Sequence, residues 1–109
     1  MNNMSQTPEH QAQFSGHTLL DQHGHEVGTI TDVVFDPDSE TPRWGVVDPG
    51  VLKSAHYVPL VPPAYVTDQG TVVVPYDRNT ILHAPKAKRV HVLSPVVERE
   101  LEHHYALTE

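Results

Sequence analysis

Turn-forming residues divide this chain into short apolar segments, and that spacing limits the fold more than any other feature of the sequence. Clusters rich in Gly, Pro, Asp and Asn separate apolar stretches about every eight to twelve residues through most of the chain. Segments this short are typical of β-strands, because helices in globular proteins usually run longer. Ten prolines and six glycines among 109 residues also favour strands and turns. The sequence therefore predicts a mostly β fold.

The first turn is the clearest of the series. Residues 22–25 separate two apolar segments, and Gly24 is free there to take a positive φ. The strand that follows, over residues 26–35, alternates imperfectly, which a β-bulge near Gly28 would explain. Further strands are predicted at residues 43–48, 56–62, 65–67 and 71–75. Prolines in the fourth strand, residues 56–62, place it at a sheet edge or keep it short.

The pattern changes towards the end of the chain. Residues 77–82 fit one helical turn. Ser94 is a suitable N-cap, and Pro95 follows at the first helical position. Three apolar residues then recur on one helical face at i, i+4 and i+8: Val97, Leu101 and Tyr105. We predict an amphipathic helix over residues 95–105 that packs on its own barrel or on a second copy.

Together these elements predict one small antiparallel β-barrel of about six strands, with a C-terminal α-helix that closes or caps it. Residues 1–16 offer little to bury and are expected to form a disordered tail. Residues 17–107 are expected to form the single domain. Its predicted core is Leu20, Ile30, Val33, Trp44, Val46, Val58, Val72 and Val74.

Charge and composition exclude several classes of protein. The formal net charge of −7 argues against direct nucleic-acid binding, which needs a basic face. The chain has no cysteine, so disulfides, thiolate zinc sites and cysteine nucleophiles are excluded. No apolar run is long enough for a membrane-spanning helix, and the first residues do not resemble a signal peptide. A cytoplasmic location is expected, with peripheral contact to a membrane complex left open.

An ordered series of segments across residues 17–107 resembles the PRC-barrel family. The segments are residues 20–33 (LDQHGHEVGTITDV), 42–47 (PRWGVV) with Gly50, 57–60 (YVPL), 74–77 (VPYD), 84–85 (AP) and 104–106 (HYA). The last of them resemble a subtype common in actinobacteria, in which Gly usually stands where this chain has Ala106. That subtype often carries a second domain associated with stress responses, which we expect to be absent here.

The resemblance implies a function without chemistry. Relatives include the cytoplasmic domain of the photosynthetic reaction-centre H subunit and the C-terminal domain of a ribosome maturation factor, which dock onto other macromolecules. We therefore expect a non-enzymatic adaptor, without catalytic residues or cofactor, that binds a protein partner in stress- or envelope-linked processes. The first alternative is a ribosome-assembly protein. The second is a metal-dependent enzyme or metal-binding protein.

Charge asymmetry indicates where a partner would dock. Residues 1–50 carry eight acidic residues and one basic residue, whereas residues 51–109 carry six of each. An acidic surface of this kind suits a basic partner. The residues expected on the docking face are Asp36, Asp38, Glu40 and Arg43. A homodimer is also expected, with Val97, Leu101 and Tyr105 as its self-association surface.

Nine histidines raise the question of a metal site. One candidate set is His17, His23 and His25, and another is Glu100, His103 and His104 with His83 or His91. Polar turn residues explain the first set, and the dipole of the C-terminal helix explains the second. We therefore expect no functional metal. Lys86, Lys88 and Arg89 form the one basic cluster and are interpreted as a solvated linker.

Overall fold

The computed structural model describes residues 14–36, 38–50, 53–60, 65–87 and 93–107. These residues form a mostly β fold with a C-terminal helix, as predicted. The strands are β1 (Thr18–Leu20), β2 (Glu26–Phe35), β3 (Pro42–Asp48), β4 (His56–Pro59), β5 (Tyr65–Val66) and β6 (Thr71–Val73). The helices are α1 (Arg78–Leu82) and α2 (Pro95–His104).

All six strands belong to one sheet in the order β4-β3-β2-β1-β6-β5. The prediction of a purely antiparallel sheet is wrong at one place, since β1 and β6 run parallel, with Thr18 opposite Thr71. β1 already pairs with β2 on its other side, so β6 arrives beside it only after the chain has crossed over. The edge strands β4 and β5 are not paired with each other in the described residues, so the sheet seen there is open and closure into a barrel is not confirmed.

Shifts in strand register explain why apolar and polar residues alternate imperfectly along β2. The pairing with β3 shifts between Ile30 and Asp32, and again between Val34 and Phe35. The predicted bulge next to Gly28 is confirmed in the pairing with β1, where Leu19 lies opposite Gly28 and Leu20 opposite Glu26, so Val27 is the additional residue. Gly28 also allows a close approach, because a Cβ atom there would overlap the backbone of Asp48.

Six of the eight predicted core residues are buried, and the other two predictions are wrong. Leu20 and Val46 are half-buried, whereas their neighbours Leu19 and Val47 are fully buried. Register explains the first error, because the β1–β2 pairing shifts between Leu19 and Leu20. The second error concerns β3, which is covered on both faces. Burial of Trp44 therefore does not mean that Val46, on the same face of the strand, is buried as deeply.

Both ends of the described domain are held by ordinary capping and packing. Phe14 is buried, and the Gly16 N–H donates to the Ile30 carbonyl at 2.7 Å, so residues 14–16 of the expected tail pack on the sheet. The Ser94 hydroxyl accepts from the Val97 N–H at 3.2 Å at the start of α2, as predicted for an N-cap. The rest of the expected tail, residues 1–13, lies outside the described residues.

Helix α2 ends in a Schellman arrangement. The Leu107 N–H donates to the Glu102 carbonyl at 2.7 Å, and Ala106 takes a left-handed φ of 57°. Ala106 is the position at which the sequence departs from glycine, so an L side chain here occupies a conformation that glycine adopts without steric cost. Neither described helix is both long and apolar enough to cross a bilayer.

Candidate interaction surfaces

Helix α2 is held over β3 by an arginine and a tryptophan that are adjacent in sequence. The Arg43 guanidinium lies 3.0 Å from the Glu102 carboxylate and 3.6 Å from that of Glu98. The Trp44 indole N–H donates to Glu98 at 3.3 Å, and the Arg43 guanidinium lies 5.3 Å from the Trp44 ring centroid. Glu98 and Glu102 are one helical turn apart, so both carboxylates meet the same strand. Arg43 therefore pairs with α2 and not with the acidic residues of the turn between β2 and β3.

The apolar side of α2 completes this contact. Leu101 is fully buried, Tyr105 is almost so, and Val97 packs against the same core. The Tyr105 hydroxyl donates to the Tyr57 carbonyl at 2.5 Å, and its ring lies edge-on to Tyr76 with centroids 4.8 Å apart. Of the two partners expected for this face, the helix packs on the sheet of its own chain. The expected self-association surface is thus covered within one chain.

Burial changes the acidity of the two tyrosines in this cluster. Burial raises the pKa of the Tyr105 hydroxyl far above its usual range, and nearby Tyr76 adds to the shift. Burial also raises the pKa of Tyr76, against the opposing charge of Arg43. Both hydroxyls therefore stay neutral at physiological pH, which suits hydrogen bonding rather than acid–base chemistry.

A buried carboxylate, which the sequence reasoning missed, joins the first hairpin to α1. Asp21 is 1% exposed, and its Oδ1 atom accepts from the N–H groups of His23 at 2.9 Å and His25 at 2.8 Å. Its Oδ2 atom accepts from the N–H of Arg78 at 3.0 Å, at the start of α1. The signal available in the sequence was an aspartate directly before a turn, which predicts the local bonds and not the distant one.

Hydrogen bonds decide the charge state of this carboxylate. Burial alone raises the pKa of a carboxyl group, but three backbone N–H donors and the nearby His25 ring outweigh it and hold the pKa of Asp21 below its ordinary value. The His25 Nδ1 atom lies 3.5 Å from Asp21 Oδ2. Asp21 is therefore a charged structural group whose lone pairs are already in use.

The structure does not bring the first histidine set together around one point. His23 Nε2 lies 3.0 Å from the Asp77 carboxylate, while His25 lies beside Asp21. The His17 ring lies beside Gly70, in the turn between β5 and β6. Each imidazole thus faces a different neighbour.

The described members of the second histidine set line one groove between α1 and α2, but they do not meet at one point. The His104 Nε2 atom lies 2.7 Å from the Thr80 carbonyl, and the His83 Nδ1 atom lies 2.7 Å from that of Asn79. Glu100 and His103 are exposed on the outer side of α2, and His91 lies outside the described residues. Within residues 14–36, 38–50, 53–60, 65–87 and 93–107, no three His, Asp or Glu side chains converge as metal ligands would.

The acidic turn between β2 and β3 is ordered by one of its own carboxylates. Asp36 Oδ1 accepts from the N–H groups of Asp38 at 2.8 Å and Ser39 at 3.3 Å. Glu40 takes a φ of 59°, and its N–H donates to the Asp36 carbonyl at 2.8 Å. Asp38 and Glu40 are exposed, and within the described parts of the chain neither forms an ion pair. Of the basic cluster, Lys86 is exposed, and residues 88 and 89 are not described.

Comparison with known proteins places this arrangement in a family. A search of the curated proteins finds no significant match. The model of the PRC-barrel domain matches residues 10–94, which include all six strands and α1 and end just before α2. Because that match covers most of the sequence, the chain belongs to the PRC-barrel domain family.

Proposed function

We propose that this chain is a non-enzymatic protein-interaction module, and that its acidic turn binds a basic segment of a protein partner. PRC-barrel domains are generally non-catalytic interaction modules, which supports the general role. The observation that carries the specific surface is the exposed carboxylate pair of Asp38 and Glu40, for which the described residues supply no cationic partner. We call Asp36, Asp38 and Glu40 the acidic turn.

Preorganisation supports this choice of surface. Asp36 uses its carboxylate on the backbone of the turn, so the turn is held without the side chains of Asp38 and Glu40. A partner that binds the two free carboxylates therefore has little backbone to order, which lowers the entropic cost of association. Lys or Arg side chains are the natural ligands for paired carboxylates.

The position of Arg43 supports this choice of surface, because its guanidinium pairs with α2 and not with the turn. It is the only basic residue in residues 1–50, and it lies against Glu98 and Glu102. Its charge is therefore balanced by α2 and not by the turn. The proposed docking face consequently consists of the three acidic residues, without the Arg43 that the sequence alone had grouped with them.

The test is crosslinking in the native cell, followed by pull-down and mass spectrometry on soluble and membrane fractions separately. The full chain is compared with a D38N/E40Q variant and with a D32N/D68N control, which removes two exposed carboxylates elsewhere. We expect a basic partner that is captured by the wild type and the control and lost by D38N/E40Q. Equal capture by all three would overturn the proposed surface.

The fractions also separate the cellular settings. Capture in the membrane fraction supports a cytoplasmic-face, envelope-linked module, and capture of stress-induced soluble proteins supports a stress-linked one. Ribosomal proteins in the soluble fraction would instead favour the ribosome-assembly alternative.

A homodimer is a separate part of the proposal. It needs a surface other than Leu101 and Tyr105, because the chain's own sheet covers both. Homodimers generally bury one self-complementary patch on each copy about a two-fold axis. The surface to look for is therefore an exposed one whose residues can pair with themselves.

A further inference from the structure

The outer face of α2 has no partner in the described chain. Val96, Arg99, Glu100 and His103 recur along it at helical spacing, and all are exposed. Val96 is 62% exposed and is the large hydrophobic residue that the described part of the molecule leaves in solvent. We call these four residues the outer stripe.

A groove lies beside the outer stripe. It has a volume of about 730 Å³, and the residues after α1, His83 and Pro85, form its other wall. The His83 and His104 rings each lie 2.7 Å from a backbone carbonyl of α1, so each ring donates an N–H there and is held in place. The groove is therefore a shaped surface, with one wall held to α1 by hydrogen bonds.

Two opposite charges lie at the middle of the outer stripe. Arg99 and Glu100 are adjacent, and neither forms an ion pair with any residue that the structure describes. The inner carboxylates Glu98 and Glu102 are already bound to Arg43. The outer pair is thus free to meet charges from another molecule.

We propose that the outer stripe binds the outer stripe of a second copy, with the two α2 helices antiparallel about a two-fold axis. Because the partner helix runs in the opposite direction, each Arg99 lies against the partner's Glu100. Each Val96 likewise lies against the partner's His103. The stripe is therefore complementary to itself in charge, which is the requirement for an isologous interface. This inference rests on the homodimer proposed above and supplies its surface.

The contact is small, so the association is weak. A ten-residue helix is about 15 Å long, and two such helices with the walls of their grooves fall at the lower end of the size range for specific interfaces. We expect a dissociation constant above about 1 µM, since larger interfaces already extend to that value. The measurement must therefore reach about 1 mM protein, a thousandfold above that bound.

Sedimentation equilibrium on the full chain tests the proposal with a charge swap. R99E and E100R each place like charges opposite one another at two symmetric contacts, and each is expected to raise the dissociation constant about tenfold. The double variant R99E/E100R restores opposite charges in the reverse sense, so its dissociation constant should return to within about threefold of the wild type. V96D should weaken the dimer as the single variants do.

Matched controls remove the effect of net charge. K53E changes the charge by the same amount as R99E, and D68R by the same amount as E100R, at exposed positions away from α2. Both controls are expected to dimerise like the wild type, and circular dichroism verifies that every variant is folded.

The outcomes separate the two levels of the proposal. A wild type that stays monomeric to about 1 mM overturns the homodimer and this surface together. A wild-type dimer that R99E and E100R leave intact, or that the double variant fails to restore, overturns the surface and leaves the homodimer. Neither result bears on the acidic turn, which the crosslinking experiment tests separately.

Discussion

The two helices are attached to the sheet in different ways. Helix α1 begins where a backbone N–H meets one buried carboxylate, Asp21, which also holds the first hairpin. Helix α2 is attached by side chains, with Leu101 and Tyr105 in the core and two carboxylates on Arg43. Helix α1 also has one core side chain, the fully buried Ile81, but its first turn depends on Asp21 alone for this bond to the hairpin. The difference implies that one polar substitution frees the start of α1 from the hairpin, whereas α2 needs its apolar contact removed.

The largest effect is expected from the apolar part of the α2 attachment. Replacement of the fully buried Leu101 by Ala should lower the free energy of unfolding by about 2–5 kcal/mol, through lost burial and the cavity left behind. Urea denaturation measures the change, with V96A on the exposed face of the same helix as the control. A loss below about 1 kcal/mol would mean that the ionic contacts hold α2.

The next effect tests the polar attachment at the start of α1. The Asp21→Asn variant keeps the shape but turns an amide N–H towards a backbone donor, so the free energy of unfolding should fall by about 1–3 kcal/mol. Hydrogen exchange should show that the amides of the first turn and of Arg78 lose protection together. Loss of protection at the turn alone would show that α1 does not depend on Asp21. D32N, at an exposed site on β2, is the control.

The same carboxylate gives a pH dependence whose sign follows from its lowered pKa. The stabilisation by charged Asp21 is complete above its unfolded pKa of 3.8 and is lost as the pH falls below that value, through the still lower folded pKa. The stability difference between wild type and D21N should therefore be constant near neutral pH and shrink below about pH 4. Denaturation curves at several pH values measure it, and a difference that persists unchanged at the lowest pH would contradict the assignment.

The smallest effect is a gain of stability at the end of α2. Glycine at position 106 relieves the left-handed strain of Ala106 but adds entropy to the unfolded chain, so A106G should raise the free energy of unfolding by about 0.5–1 kcal/mol. Thermal unfolding measures the change. Position 103 lies within the helix and offers no relief of this kind, so H103G should instead destabilise by up to about 1 kcal/mol.

Local signals in the sequence predicted most of the elements. Gly24 takes the expected positive φ, Ser94 caps α2, and Val97, Leu101 and Tyr105 share a buried face. These features depend on residues within one turn or one helix of each other, which is the range over which pattern and propensity act.

The features that sequence reasoning missed depend on distant residues. Arg43 meets Glu102 and Asp21 meets Arg78, in each case more than fifty positions along the chain. No local pattern distinguishes an arginine of the acidic turn from one that faces a helix. The exchange of Leu20 for Leu19 in the core has a different cause, because a register shift moves burial by one residue while leaving the composition of the strand unchanged.

The parallel pairing of β1 with β6 has a consequence for how the chain is made. Synthesis runs from the N-terminus, so β1 and β2 emerge early, while Thr71, the neighbour of Thr18, emerges more than fifty residues later. Until then the first hairpin has one unpaired strand edge, open to pairing with other nascent chains. The centre of the sheet is therefore completed late, and closing so long a loop makes this step slow relative to hairpin formation.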